Sequence, residues 1–352
     1  HLLSRRQRQM CIRDSMKGKQ GMVCMGLLLV LSSCHTGKQI TASGLQRKDF
    51  QTEVNGQHTD LFTLSNKQGM EVCITNYGAR VVSILVPDRN GKREDVVCGF
   101  STITEYMEQR QNFGSTVGRY IGRILNARFT LDGVEYKLVP NNGKSGHISH
   151  GGNPGFADRM WKVEQADTHR VRLSYLSPDG ENGFPGNLKV TLVYSLGEDE
   201  NALDLTYEAT TDAPTVLNLS HHSFFNISGD FTKSVEDQQL WVDADRFTPY
   251  DDKKCVTGEY LPVAGTPLDF RMPHAIGECI DADHPQLKVV NGYDHTWELN
   301  TKGDDTRPAA WVYDPASGRK MEIFTTEPGI QIYTGNGLKG KMTGKGLSLI
   351  HI

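Results

Sequence analysis

His221 and His222 stand side by side at the end of Leu217-Asn218-Leu219-Ser220-His221-His222-Ser223-Phe224-Phe225-Asn226, a segment with the alternation of a strand. On a strand, successive side chains point to opposite faces. His221 then falls with Leu217 and Leu219, and His222 with Asn218 and Ser220. His222 is therefore the ring that a cleft can use. Imidazole exchanges a proton near neutral pH, which suits a general acid or base. Taken alone, the segment is equally open to the reading that both rings are satisfied structural histidines.

Further segments bear on that choice. Upstream lie Gly118-Arg119-Tyr120-Ile121-Gly122-Arg123-Ile124, then Ser149-His150-Gly151-Gly152, Gly155-Phe156 and Trp161. Downstream lie Asn291-Gly292-Tyr293-Asp294-His295 and Pro328-Gly329-Ile330-Gln331-Ile332-Tyr333-Thr334-Gly335-Asn336. In this order and at these separations, from about Phe62 to Gly344, the set resembles the aldose 1-epimerase (galactose mutarotase) family. The resemblance implies interconversion of the α and β anomers of a free aldose of glucose or galactose type. That reaction opens the ring, turns the C1 aldehyde and closes the ring on the other face. It needs two proton transfers and no cofactor; each positioned acid or base supplies about 10²–10⁴-fold.

By the same resemblance His222 is the general acid toward the ring oxygen, and His150 bonds or polarises the same region of the sugar. Arg123, Asp294 and Gln331 are implied as sugar contacts. The forked donors of an arginine can grip two hydroxyls. Gly122 stands where many members have asparagine, which removes one expected hydrogen bond. Arg119 and Arg128 read as surface charges. Phe156, Trp161, Phe224 and Phe225 divide between pocket lining and core. The family's general base is a glutamate beyond the Tyr-Thr-Gly-Asn motif, and none of Gly337 to Ile352 is acidic. The chain is thus expected to stop short of that residue and of closing strands, leaving a sheet edge open and activity weak. A non-catalytic sugar-binding lipoprotein is the alternative reading. A metal site built on His150, His221 and His222 is disfavoured, because adjacent strand residues point apart and no carboxylate stands at ligand spacing.

The elements that must position these residues read as strands separated by Gly, Asn and Asp turns. Val171-Leu173-Tyr175, Val190-Leu192-Tyr194 and Leu203-Leu205-Tyr207 alternate as half-buried antiparallel strands do. Asp132-Gly133 between Arg128-Phe129-Thr130-Leu131 and Val134-Glu135-Tyr136-Lys137-Leu138 favours a tight hairpin. The fold class is all-β, a sandwich of stacked sheets; the resemblance implies the large supersandwich of galactose mutarotases.

With 352 residues the chain can bury a large core as one domain. Its 38 basic and 42 acidic residues are dispersed, which speaks against a nucleic-acid partner. Residues 1 to 15 and 346 to 352 read as non-native sequence outside the fold. Residues 16 to 34 have the basic, apolar and small-residue succession of a secretory signal, and Leu31-Ser32-Ser33-Cys34 resembles a lipoprotein cleavage box with Cys34 lipidated. An exported protein of the periplasm or cell envelope is expected, touching membrane only through that anchor. Residues 35 to 47 read as a polar tether and 48 to 345 as the folded domain. Cys73, Cys98, Cys255 and Cys279 lack CxxC spacing, so no zinc or redox motif is expected.

Overall fold

The structure, a computed structural model, describes residues 7–11, 40–338 and 342–345. Its largest sheet has nine strands in the order Lys162–Ala166, Arg170–Ser177, Leu188–Leu196, Leu203–Thr211, Gln7–Cys11, Lys320–Thr325, Ala310–Tyr313, Gln239–Val242 and His274–Ala275. The three alternating segments form neighbouring antiparallel strands. Leu173 opposes Leu192, and Leu192 opposes Tyr207, so the apolar residues of all three share one face. Val171, Leu173, Val190, Leu192, Tyr194, Leu203, Leu205 and Tyr207 are all buried.

Two four-stranded sheets cover this long sheet at different ends. One consists of Leu61–Ser65, Glu71–Thr75, Arg80–Pro87 and Arg93–Asp95. Its Leu64, Val72, Ile74, Val81 and Ile84 meet the buried face just described. The other consists of Leu261–Pro262, Arg246–Thr248, Asp294–Glu298 and Gly329–Tyr333. Phe247 and Trp297 from this sheet close a second core with Leu240, Val242 and Ala310. Each such side chain contributes roughly 1.5–3 kcal/mol when fully buried. The result is the stacked-sheet supersandwich expected. The 132–133 hairpin also forms: Leu131 pairs with Val134, and Asp132 and Gly133 take φ of 49° and 79°.

Three expectations are corrected. Gln7–Cys11, expected outside the fold, is a strand paired with both Leu203–Thr211 and Lys320–Thr325. The tether is packed from Thr41 onward: Leu45 is buried, and the Ala42 and Ser43 N–H groups donate to Glu71 Oε1 at 2.7 and 3.2 Å. Arg119 is buried rather than a surface charge; it donates to Ser177 Oγ and to the carbonyls of Ser177, Pro178, Pro185 and Gly186. Cys73, Cys98, Cys255 and Cys279 are free thiols. Cys34 and its signal-like segment lie outside the described residues, as do residues 346–352.

Candidate active site

Arg123–Ile124 pairs with Ile148–Ser149, Arg123 opposite Ser149, so Gly122 and His150 leave this ladder side by side. The His150 N–H donates to Gly122 O at 2.9 Å, and the Gly122 N–H donates back to His150 Nδ1 at 3.3 Å. A nitrogen that accepts an N–H carries a lone pair, so the neutral ring keeps its proton on Nε2. The turn that follows needs glycine. Gly151 has φ 79°, and a Cβ there would lie 1.9 Å from Gly118 O.

His222 follows the short strand Ser220–His221, which pairs with Thr116–Val117. Its N–H donates to Ser115 O at 2.9 Å, and its carbonyl accepts from Gly114 N–H at 3.0 Å. The two histidines part as strand geometry requires. His221 shares hydrogen bonds with Ser223 Oγ at 2.6 Å and Tyr194 OH at 3.5 Å. The His222 ring instead meets the His150 ring edge-on, with centroids 5.4 Å apart at 90°. Loss of solvent around these partly buried rings lowers His150 and His221 to about 3 and His222 to about 4. His150 and His221 are lowered further by the charge of His222. At neutral pH all three rings are neutral.

The opposite wall comes from the smaller sheet. Asp294–Glu298 pairs with Gly329–Tyr333 so that Asp294 opposes Tyr333 and Thr296 opposes Gln331, placing all four on one face. Gln331 Nε2 donates to Asp294 Oδ1 at 2.7 Å, and Gln331 Oε1 accepts from Thr296 Oγ1 at 2.9 Å. Burial raises the Asp294 carboxyl; the Gln331 hydrogen bond and the charges of Arg123 and Lys254 pull it back. Arg123 reaches across to this side, donating to Lys254 O at 2.9 Å.

The structure thus joins His150 to His222 and Asp294 to Gln331 directly, with Arg123 spanning toward the second pair. Phe224 bridges the walls: its ring lies 5.2 Å from His222 and 5.6 Å from Tyr333. Phe156 and Trp161 are buried in the main core, with Phe225 packed against it. Tyr333 and Tyr250 were missed in the sequence. Tyr333 lies two residues past Gln331, so strand parity would have found it. Nothing local marks Tyr250.

In an all-β sandwich, the paired neutral histidines, the arginine and the carboxylate–amide pair bring groups able to exchange protons and to hydrogen-bond into one region. The comparisons narrow the class of protein. The sequence profile described as aldose 1-epimerase matches residues 60–350. The chain is 39% identical to the galactose mutarotase of Sus scrofa over 284 residues, covering 81% of this chain and 80% of the relative. It is 36% identical to the aldose 1-epimerase of Escherichia coli over 286 residues, covering 81% of each. Among solved structures, an aldose epimerase homologue from C. elegans aligns with a TM-score of 0.74 and 30% identity over 83% of this chain and 86% of that one. A galactose 1-epimerase from Lactobacillus acidophilus aligns with a TM-score of 0.74 and 29% identity over 85% of each. The chain belongs to the aldose 1-epimerase family.

Proposed function

We infer that this protein is an aldose 1-epimerase, an isomerase of carbohydrate metabolism that interconverts the α and β anomers of a free aldose of galactose or glucose type. The observation that carries the reading is the edge-on contact of His150 with His222, with Asp294 and Gln331 bonded to each other and the charge of Arg123 acting on the Asp294 carboxyl. His222 would protonate the ring oxygen as the C1–O5 bond opens while water takes the proton of the C1 hydroxyl, and both transfers would reverse on closure. Burial lowers its ring to about 4, so this role requires His222 to gain a proton as the sugar binds. His150, with Nε2–H directed by Gly122, donates a hydrogen bond without changing charge. Arg123, Asp294 and Gln331 would hold the hydroxyls of the sugar, their forked donors and acceptors matching vicinal diols. Polarimetry of freshly dissolved α-D-galactose and α-D-glucose tests this. Optical rotation should relax faster in proportion to protein concentration, and relaxation at the buffer rate with folded protein would overturn the reading.

We also propose that the protein is exported and anchored through lipid on Cys34. Support comes from the sequence alone, in the basic residues Lys17 and Lys19, the apolar Met22 to Leu31 and the small residues before Cys34. A single acyl chain binds membranes only marginally, so stable attachment requires more than one.

A further inference from the structure

Tyr250 lies in none of the segments that carry the family resemblance, yet it stands at the junction of the three sugar-facing polar groups. Its hydroxyl accepts from Gln331 Nε2 at 3.1 Å, beside the bond from the same nitrogen to Asp294. The charge of Arg123 also acts on that hydroxyl, offsetting part of the upward push from burial and from Asp294. Only 8% of the residue is exposed, and its ring rests 5.4 Å from that of His295, the neighbour of Asp294.

The backbone of Tyr250 is held from outside the site. Gln286 grips it at both polar groups: the Tyr250 N–H donates to Gln286 Oε1 at 2.8 Å, and Gln286 Nε2 donates to Tyr250 O at 3.0 Å. Gln286 sits on the helix Pro285–Val290, which leads through Asn291 and Gly292 to the strand carrying Asp294. The loop beyond Tyr250 is equally constrained. Asp251 Oδ1 accepts from the N–H groups of Lys253 at 2.9 Å and Cys255 at 2.8 Å. That closure presents the Lys254 carbonyl to Arg123.

We propose that Tyr250 is a positioning residue of the epimerase site, held by Gln286, whose hydroxyl orients Gln331 toward the aldose. The proposal rests on the aldose 1-epimerase reading. A group that orients binding side chains without touching the reacting atoms changes ground-state and transition-state binding alike. Its loss therefore raises KM and leaves kcat in place.

The test uses the full chain and D-galactose, with mutarotation followed by polarimetry and binding by titration calorimetry. Losing one hydrogen bond of ordinary strength corresponds to roughly a 2- to 12-fold effect. Tyr250→Phe should raise both KM and Kd by about that factor with kcat within twofold, and Gln286→Ala should do the same from outside the site. In a Gln331→Ala background, Tyr250→Phe should add less than it does alone, because part of its action passes through that amide. Melting curves separate this from simple destabilisation, since Gln286→Ala preparations that remain folded at the assay temperature should still show weakened binding. An unchanged KM and Kd, a fall in kcat at constant KM, or full additivity with Gln331→Ala would overturn the proposal. Wild-type protein that binds galactose without accelerating mutarotation would overturn the epimerase reading, and the Kd comparison would still decide the role of Tyr250.

Discussion

Lowering the pH from 7.5 to 5 should remove a large part of the stability of this protein through four histidines. Loss of solvent holds His150 and His221 at about 3 and His222 and His295 at about 4 in the fold, whereas histidine in an unfolded chain titrates near about 6.5. With folded values below unfolded ones, the unfolded chain binds more protons in between. Stability that is complete above about pH 6.5 is then lost as the pH falls toward the folded values. At pH 5 each ring costs about 1.36 kcal/mol for each of roughly 1.5 pH units, or about 2 kcal/mol. That figure is set by the gap between 6.5 and 5, so it changes little whether a folded value is 3 or 4. Four rings would sum to about 8 kcal/mol, but His150, His221 and His222 are partly exposed and water screens part of their share. His295 is fully buried with Nε2 unpartnered and keeps its full share. Asp294 acts in the opposite sense, because its raised carboxyl lets the fold take up a proton first. A net loss of about 4–6 kcal/mol is expected, against a total of about 5–15 for a typical protein. Urea unfolding followed by tryptophan fluorescence between pH 7.5 and 5 measures it, in a window where most carboxylates remain ionised. Stability constant to within about 1 kcal/mol across that range would refute the reasoning.

Other substitutions separate chemistry from support. His222→Ala should lower the catalysed rate by about 10²–10⁴-fold, while His221→Ala, which removes contacts to Ser223 and Tyr194, should mainly lower the unfolding free energy; equal catalytic losses in folded proteins would contradict the assignment. Gly151→Ala should destabilise by more than about 2 kcal/mol, since left-handed φ alone costs about 1–2 and the new Cβ would meet Gly118 O. Gly122→Ala, at φ 79° with nothing within 4 Å of an added Cβ, should cost only the conformational part, so similar losses in denaturant titrations would argue against the clash. Cys34→Ala should move the protein from the membrane fraction to the soluble one, and an N-terminus still at Met16 in the membrane-bound wild type would exclude the anchor.

The parts of the fold legible in the sequence are those where one face is buried and the other wet. Leu188–Leu196 and Leu203–Thr211 announce themselves by alternation because the pleat converts burial directly into pattern. Glu71–Thr75 carries no such signal, since all five residues are buried, and Arg80–Pro87 is buried along all but its last position. Pairing order is invisible for a different reason: Lys320–Thr325 shares a sheet with Leu203–Thr211 across more than a hundred residues, and no local feature encodes so distant a partner. The packed stretch from Thr41 was read as a tether on the same account. Its anchor is the Glu71 carboxylate, which accepts from Ala42 and Ser43 and is remote in sequence.

The candidate site divides along the same line, and the division has a chemical consequence. His150 and His222 are set by backbone: Gly122 and Ser115 hold their peptide groups, and Gly122 also fixes which ring nitrogen of His150 accepts. Such support depends on strand register, which is why parity alone separates His222 from His221. The Asp294, Gln331 and Arg123 wall is joined instead by side-chain bonds, through Thr296, Tyr250 and the Lys254 carbonyl. Side-chain links of this kind leave no periodic trace, and they can be exchanged without disturbing a ladder. The two histidines are therefore tied to the fold through their own peptide groups, whereas the links of Arg123 and Tyr250 to the Asp294–Gln331 strands can change through loop and side-chain substitutions. Changes at Tyr250, Gln331 or the Lys254 loop should alter which aldose binds, and changes beneath His150 and His222 should alter whether any aldose is turned over.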